Sequence, residues 1–410
     1  MQTARIACVK KNKNIAIIGA GPAALMAAEI LATADHVVNV YDRMPSPGRK
    51  FLIAGRGGLN LTHSEPLETF LARYGSAADW LAPAIHDFPP AALRAWCEGL
   101  GEETFIGSSG RVFPRRMKAV TLLRAWLRRL EQLDVQYYPR HTWQGWHGDM
   151  LRFLTPQGEV SVAPDATLLA LGGASWPRLG SDGSWVKILE GQGIPVRRLQ
   201  PANCGFTTAW SDYFRERYAG MPLKPLAITH EGNTHKGEAL ITASGIEGGA
   251  VYGLSCSIRE AIHRDGATTI TLDLRPGMSA ESLSKKLGTR GSKSLSSYLR
   301  SANFSPLAVA LLHETTSQLS NEDFGARLKA LPLRLHGTTD IARAISTAGG
   351  IPRPAVNEAF MLKDKPGVFV AGEMLDWEAP TGGYLLQACF STAVAAAQGI
   401  ISYGEFTVGR

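Results

Sequence analysis

The residues "NIAIIGAGPAA" (Asn14–Ala24) place Gly19, Gly21 and Ala24 in the spacing G-x-G-x-x-A, directly after the apolar run Ile15-Ala16-Ile17-Ile18. That spacing suits a backbone that bends sharply and lets a bulky anion come close. The first glycine permits the turn, the second leaves room for a pyrophosphate, and the third small residue lets a helix pack on the strand. Ala20, Pro22 and Ala23 complete the turn. The helix expected from Ala23 to Thr33 points its positive end at the phosphates. A second strand should then end in an acid about 20 residues on. "VVNVYD" ends at Asp42, which can accept from both hydroxyls of a ribose. Arg43 follows. It can face a 2′-phosphate or stand at the mouth of an FAD site.

Further glycine-rich segments choose between cofactors. "PGRKFLIAGRGGLNLTH" follows the acid at once, where a nicotinamide domain would continue into helix and strand. Arg49, Lys50, Gly57, Gly58, Asn60 and Leu61 can lie there along phosphate, ribityl chain and ring. "TLLALGGASWP" carries Gly172 at the end of an apolar strand, and "GVFVAGEMLD" closes on Gly372-Glu373, whose carboxylate can accept from a ribityl hydroxyl. "APTGGYLLQACFSTAVAAAQG" has Gly382-Gly383 opening a small-residue helix, whose amides can stabilise charge on a reduced ring. A second intact G-x-G-x-x-G is absent. The expectation is one tightly held FAD, with NAD(P)H as a transient electron donor. Tyr384 and His63 are the candidate proton donors, because each adjoins a predicted flavin loop. Trp176 and Trp377 follow the cofactor strands and can line the pocket or simply pack.

These motifs, with "GRVFPR" from Gly110, "GEALIT" from Gly237 and "GGI" from Gly349, resemble the BaiN/RdsA-type (YhiN-like) NAD(P)/FAD-dependent flavoproteins, in order and over nearly the whole chain. The resemblance implies a two-dinucleotide-binding-domain flavoprotein, that is an α/β Rossmann-like FAD domain with an inserted β-barrel-like domain and a helical subdomain. It also implies FAD contacts at Gly19, Gly21, Asp42, Arg49, Lys50, Asn60, Gly372, Glu373, Gly382 and Gly383. Relatives are linked to uracil reduction in ribosomal RNA and to bile-acid transformation. Two departures stand out. The family loop commonly reads G-G-G-R-C-N, whereas here Leu59 takes the cysteine's place and the arginine has moved to Arg56. Leu385 stands where relatives tend to have Asn.

The elements that must position these residues follow from texture. Residues 1–195 and 344–410 should form the FAD domain. Residues 196–278 and 333–343 carry short β-like runs, and 279–332 has helical spacing. The 410 residues are 45% apolar and 19% charged, as in a soluble globular protein. The five cysteines are scattered without a C-x-x-C, which suits reduced thiols and offers no metal knuckle. The N-terminus lacks an apolar signal segment, and Leu385–Ile401 is interrupted by Gln387 and Gln398, so a cytoplasmic protein without a membrane span is expected. Net charge is +7, and from Thr104 to Leu130 there are seven basic residues and no acid. Lys285, Lys286, Arg290, Lys293 and Arg300 add a second basic segment. Either can be a solvated face or a grip on RNA phosphates. Three functions therefore stand open. One is an FAD-dependent oxidoreductase moving hydride between flavin N5 and an unsaturated substrate. The second is the same chemistry directed at uracil in ribosomal RNA, and the third is a flavin-binding protein without turnover.

Overall fold

The computed structural model describes residues 12–55, 57–315 and 324–404. Cys8, one of the five cysteines, and Arg56 lie outside the described residues, as do parts of the expected domain ranges. By its contacts the chain divides into two compact units, residues 1–200 with 346–410, and residues 201–345.

The first unit is built on a parallel sheet. Its elements are β1 (Asn14–Ile18), α1 (Pro22–Thr33), β2 (Val37–Asp42), α2 (Arg49–Ala54), α3 (Ala119–Gln132), β3 (Gln136–Pro139), β4 (Ala166–Leu169), β5 (Val368–Val370) and α4 (Tyr384–Ser402). The strand order is β5-β4-β1-β2-β3, all parallel. Ile15 pairs with Val38 on one side and Ala166 on the other. Strands covered on both faces need apolar residues at every position, and Ile15 to Ile18 are at most 2% exposed. The order reverses between β1 and β4, so the crevice beyond their carboxyl ends is where such sheets take ligands. A three-stranded antiparallel meander, Thr142–His147, Met150–Thr155 and Gly158–Val162, lies in sequence between β3 and β4.

Helix α4 is long and apolar enough to cross a membrane. Here it packs on α1 and on the helix Ala78–Asp87, and its polar residues Gln387, Ser391 and Thr392 are fully buried. Each finds a partner inside: Gln387 Nε2 donates to Phe88 O at 2.7 Å, Ser391 Oγ to the same carbonyl at 2.8 Å, and Thr392 Oγ1 to Ala388 O at 2.6 Å. Hydrogen bonds of this kind are what allow polar groups into a core.

The second unit is a seven-stranded, wholly antiparallel sheet. Its edge strands, Leu331–Leu335 and Gly337–Thr338, are separated in sequence by His336 alone. The sheet must therefore curl until its edges come together, as in a β-barrel, which leaves no long free edge. The helices Ala280–Leu287, Leu295–Ser301 and Pro306–Thr315 share one apolar core with this sheet, through residues such as Leu283, Leu299 and Leu311.

The two ends of the described chain are tied together by a buried lysine. Lys13 Nζ donates to Ile400 O at 2.7 Å, to Ile401 O at 2.8 Å and to Tyr403 O. A cation at the carboxyl end of α4 also meets the helix dipole favourably. Lys13→Met should destabilise the protein by about 1–3 kcal/mol, because buried carbonyls lose their donor. Denaturant titration checks this.

Candidate functional site

The turn after β1 shows two glycines doing different work. Gly19 has φ +101°, and a Cβ there would lie 2.3 Å from Ala170 O at the end of β4. It exists so that two strand ends can touch. Gly21 caps α1 in extended conformation, with no atom within 4 Å of where its Cβ would be. That space lies at the positive end of a 12-residue helix with Pro22 at its first position and Ala23 buried, a ready place for an anion.

Asp42 ends β2 with both carboxylate oxygens engaged. Oδ2 accepts from Ala20 N and Oδ1 from Met44 N, each at 2.6 Å. Burial pushes its pKa up, against the pull of those two bonds and of Arg43 and Arg49. Each oxygen keeps a second lone pair for a ligand hydroxyl. Arg43 turns away from Asp42 to pair with Asp182 and reaches Pro177 O at 3.4 Å. Its charge is therefore engaged away from the ribose position.

Arg49 and Lys50 open α2. Arg49 Nη1 donates to Ser46 Oγ at 3.3 Å, while its Nε is buried with no partner. Lys50 Nζ donates to Ser175 Oγ at 2.6 Å and to Glu373 Oε2 at 2.7 Å. Glu373 also accepts from Thr347 N at 3.0 Å and Gly173 N at 3.3 Å. Four chain segments thus meet on one carboxylate. Gly172 lies beside it, 3.8 Å from Oε2 to an added Cβ. Both polar backbone groups of Gly372 are used internally, N–H to Thr392 Oγ1 and C=O from Trp377 Nε1, each at 3.0 Å. Trp377 is buried and packs edge-on to Tyr74.

Beyond α2, Gly57 has open space at its Cβ position, whereas Gly58 abuts Met117. Leu59 and Leu61 are fully buried, with their amides bonded to Met117 O and Val112 O. Asn60 Oδ1 is buried without a partner. Gly382 and Gly383 bring the start of α4 against this loop: a Cβ on Gly383 (φ +98°) would lie 2.4 Å from Thr62 Cα. Beneath that contact Thr62 Oγ1 donates to Gln387 Oε1 at 2.8 Å, buried.

His63 and Tyr384 stack, with centroids 5.5 Å apart. Tyr384 OH donates to Glu65 Oε1 at 2.7 Å, and Arg73 grips both oxygens of Glu65 at 3.1 and 2.8 Å. Burial raises the Tyr384 pKa, and the Glu65 carboxylate raises it further. Burial opposes ionisation of Glu65, but Arg73 and Tyr384 outweigh it and the net shift is downward. His63 accepts from Glu65 N at Nδ1, at 3.2 Å, so its proton sits on Nε2 and points to Ser109 O at 2.9 Å. Burial pushes the thiols of Cys97 and Cys389 up to about 12. Among the described residues no group of three or more His, Cys, Asp or Glu could hold a metal.

Gly19, Gly21, Asp42, Arg49, Lys50, Gly172, Gly372 and Glu373 therefore gather around the carboxyl ends of β1, β2, β4 and β5, and Asn60, His63, Gly383 and Tyr384 form a contiguous second cluster at the start of α4. Sequence reasoning missed Glu65, Arg73, Thr347, Ser175 and Asp182. One usable signal was Gln387, a glutamine in a helix of small apolar residues, which only makes sense if buried and paired. The basic run is partly neutralised. Arg115 pairs with Glu103 at 2.7 Å, Arg116 with Glu102 at 3.8 Å and Arg129 with Glu29 at 2.9 Å. Arg111, Lys118, Arg124 and Arg128 stay exposed.

A five-stranded parallel sheet with a glycine turn, a helix N-terminus and an acid at its switch point defines a dinucleotide-binding Rossmann-type protein. The chain belongs to the HI0933-like protein Rossmann-domain family, whose profile matches residues 13–399. It is 24% identical over 402 residues to the 3-dehydro-bile acid delta(4,6)-reductase of Clostridium scindens, covering 93% of this chain and 98% of that one. It is 25% identical over 423 residues to the ribosomal RNA dihydrouridine synthase of Haemophilus influenzae, covering 95% and 98%. Its fold is also that of the 3-ketosteroid delta1-dehydrogenase of Sterolibacterium denitrificans, at a TM-score of 0.51 and 10% identity, covering 96% of this chain and 100% of that one.

The two glycines of the first turn should separate by experiment. Gly19→Ala should destabilise the fold by roughly 1–3 kcal/mol, through the left-handed backbone and the clash with Ala170. Gly21→Ala should leave thermal stability unchanged and weaken dinucleotide binding instead. Melting curves with and without ligand read both.

Proposed function

We propose that the protein is an FAD-dependent oxidoreductase that moves hydride between flavin N5 and an unsaturated substrate, with NAD(P)H as electron source. The observation that carries this reading is the pair of buried, unpartnered polar atoms, Arg49 Nε and Asn60 Oδ1, on either side of the side-chain-free Gly57. Buried polar groups rarely lack partners in a finished structure, so both are better explained by a long polar ligand lying along 49–60. The residues fit FAD. Gly21 and the α1 amides suit its pyrophosphate, Asp42 its ribose, and Glu373, which keeps a free lone pair on Oε1, a ribityl hydroxyl. Asn60 and the Gly382–Gly383 turn suit its ring. Bound there, FAD would supply the hydride chemistry itself. The relatives support the reaction type, since one is named a reductase and the other a dihydrouridine synthase, and reduction of an unsaturated ring fits both names.

The chain's own residues bind, orient and hold protons. The Lys50–Glu373 pair fixes the acceptor carboxylate. Glu65, ionised by Arg73, holds the Tyr384 phenol in place, and through its own backbone N–H it fixes the His63 tautomer. In this arrangement the Tyr384 proton points to Glu65 and the His63 proton to Ser109. Tyr384 and His63 therefore shape the wall of the ring site. With Leu59 in place of the family's cysteine, no thiol proton is on hand at that position.

A second reading, an RNA-directed reductase, rests on the exposed Arg111, Lys118, Arg124 and Arg128, which lack acid partners among the described residues. Lys285, Lys286, Lys293 and Arg300 are exposed in the other unit.

The purified protein should be yellow and should be bleached by NADH or NADPH. Asn60→Leu and Arg49→Met should remain folded yet retain flavin poorly. A colourless wild-type protein that cannot be loaded with FAD overturns the reading. For RNA, Arg124→Glu with Arg128→Glu should lower the salt-dependence slope of binding by about 2 if both touch phosphate; an unchanged slope removes these residues from any such interface.

A further inference from the structure

The segment after β4, residues 172–184, does more than supply Gly172. It leaves the carboxyl end of β4 and arrives at the residues that follow β2. A Cβ on Gly180 would lie 2.8 Å from Met44 Cγ, and Arg43 bonds both Asp182 and Pro177 O. β4 and β2 are the two neighbours of β1 in the sheet. The segment therefore reaches from the carboxyl end of β4 to the residues that follow β2, on either side of β1.

The segment is a loop closed at its base, where Gly183 N donates to Gly173 O at 3.1 Å, and its base and its tip are held differently. The base is anchored by several groups: Lys50 Nζ on Ser175 Oγ at 2.6 Å, Ala174 N on Thr347 Oγ1 at 2.9 Å and Gly173 N on Glu373 at 3.3 Å. Beyond the base, the side-chain tether to the residues after β2 is Arg43, which bonds Pro177 O and pairs with Asp182, the two charged side chains being 29% and 28% exposed. Ser184 N donates to Asp182 Oδ1 at 3.1 Å and sets the carboxylate toward Arg43. Ser181 Oγ, beside the closed base, is buried with no partner, 3.3 Å from where a Gly172 Cβ would be. A buried, unsatisfied hydroxyl in this loop points to a polar ligand beside it.

We propose that Arg43 and Asp182 latch residues 176–184 as a strap over the bound dinucleotide, so that this ion pair governs how fast the cofactor enters and leaves. The proposal takes the cofactor from the FAD reading above. It gives Arg43 a positioning role through Asp182 instead of a direct contact with the ribose. A partly exposed ion pair is a weak fastener, which suits a strap that must open for exchange.

The test is the rate at which holoprotein releases flavin on dilution, followed by flavin fluorescence. Asp182→Ala and Arg43→Ala should each release FAD about two- to fivefold faster than wild type, and load it faster too. The charge-swapped Arg43→Asp/Asp182→Arg variant should return toward the wild-type rate. Arg152→Ala, which breaks a remote surface pair with Glu159, should change nothing. A second readout needs no flavin: trypsin cleavage after the exposed Arg178 in the cofactor-free protein should be faster in both single variants. Release and cleavage both at wild-type rates would overturn the latch while leaving the flavin reading intact. A wild-type protein that takes up no FAD would sink the flavin reading, and the Arg178 cleavage then decides the strap alone. Should both alanine variants fail to fold, salt decides, since the pair is screened. Release from wild type that does not quicken with salt refutes the latch.

Discussion

The carboxyl edge of the parallel sheet depends on how one carboxylate is satisfied. Asp42 is largely withdrawn from water, which disfavours its charge. Two short backbone N–H bonds, from Ala20 and Met44, compensate, and charge-assisted bonds of this kind are the strong ones. They tie the turn after β1 to the turn after β2. Gly19 N bonds Tyr41 O and Gly48 N bonds Ala20 O, both at 2.8 Å, which extends the same tie into α2. The acid is therefore structural before any ligand arrives, and its remaining lone pairs are aimed by bonds that already exist.

Glu373 does for distant segments what Asp42 does for adjacent ones. Lys50, Gly173 and Thr347 reach it from three places along the chain. The arrangement keeps a charged pair in a partly buried site with most of its bonding capacity filled, the condition under which such pairs are tolerated. Near the start of α4, Glu65 plays a third version of the role, gripped by Arg73 and holding Tyr384. Three carboxylates, each satisfied by protein groups, thus organise a site made mostly of backbone.

The two kinds of glycine show why backbone dominates. Gly383 and Gly19 are there because another backbone occupies the place of a side chain. Gly21 and Gly57 have nothing opposite them. The first kind builds the fold and the second leaves room in it. A motif search treats all four alike, since the letter is the same.

Much of the Rossmann frame was legible in the chain itself. A continuous apolar run, a glycine turn, a helix and a strand ending in acid are local patterns, and local sterics and hydrogen bonding largely decide them. The barrel-like unit was legible in the residues as short β runs, and its barrel form only through the family resemblance. Closure follows from the pairing of strands that end at 335 and begin again at 337, and pairing is a long-range choice. The site divided in the same way. Residues next to a glycine turn, such as Asp42, Lys50 and Glu373, could be named, because the turn announces them. Glu65, Arg73, Thr347 and Asp182 could not, because nothing in their neighbours in sequence says which charge or amide they will meet. Arg43 makes the point most directly. Its position beside Asp42 left open a contact with a 2′-phosphate or a place at the mouth of an FAD site, and its guanidinium goes to Asp182, 139 residues away. The sequence by itself determined which backbone bends and where the strands end, since those depend on residues within a turn or two. Only the tertiary structure decided which charges pair, because an ion pair depends on distance in space, and that is settled when the whole sheet has formed.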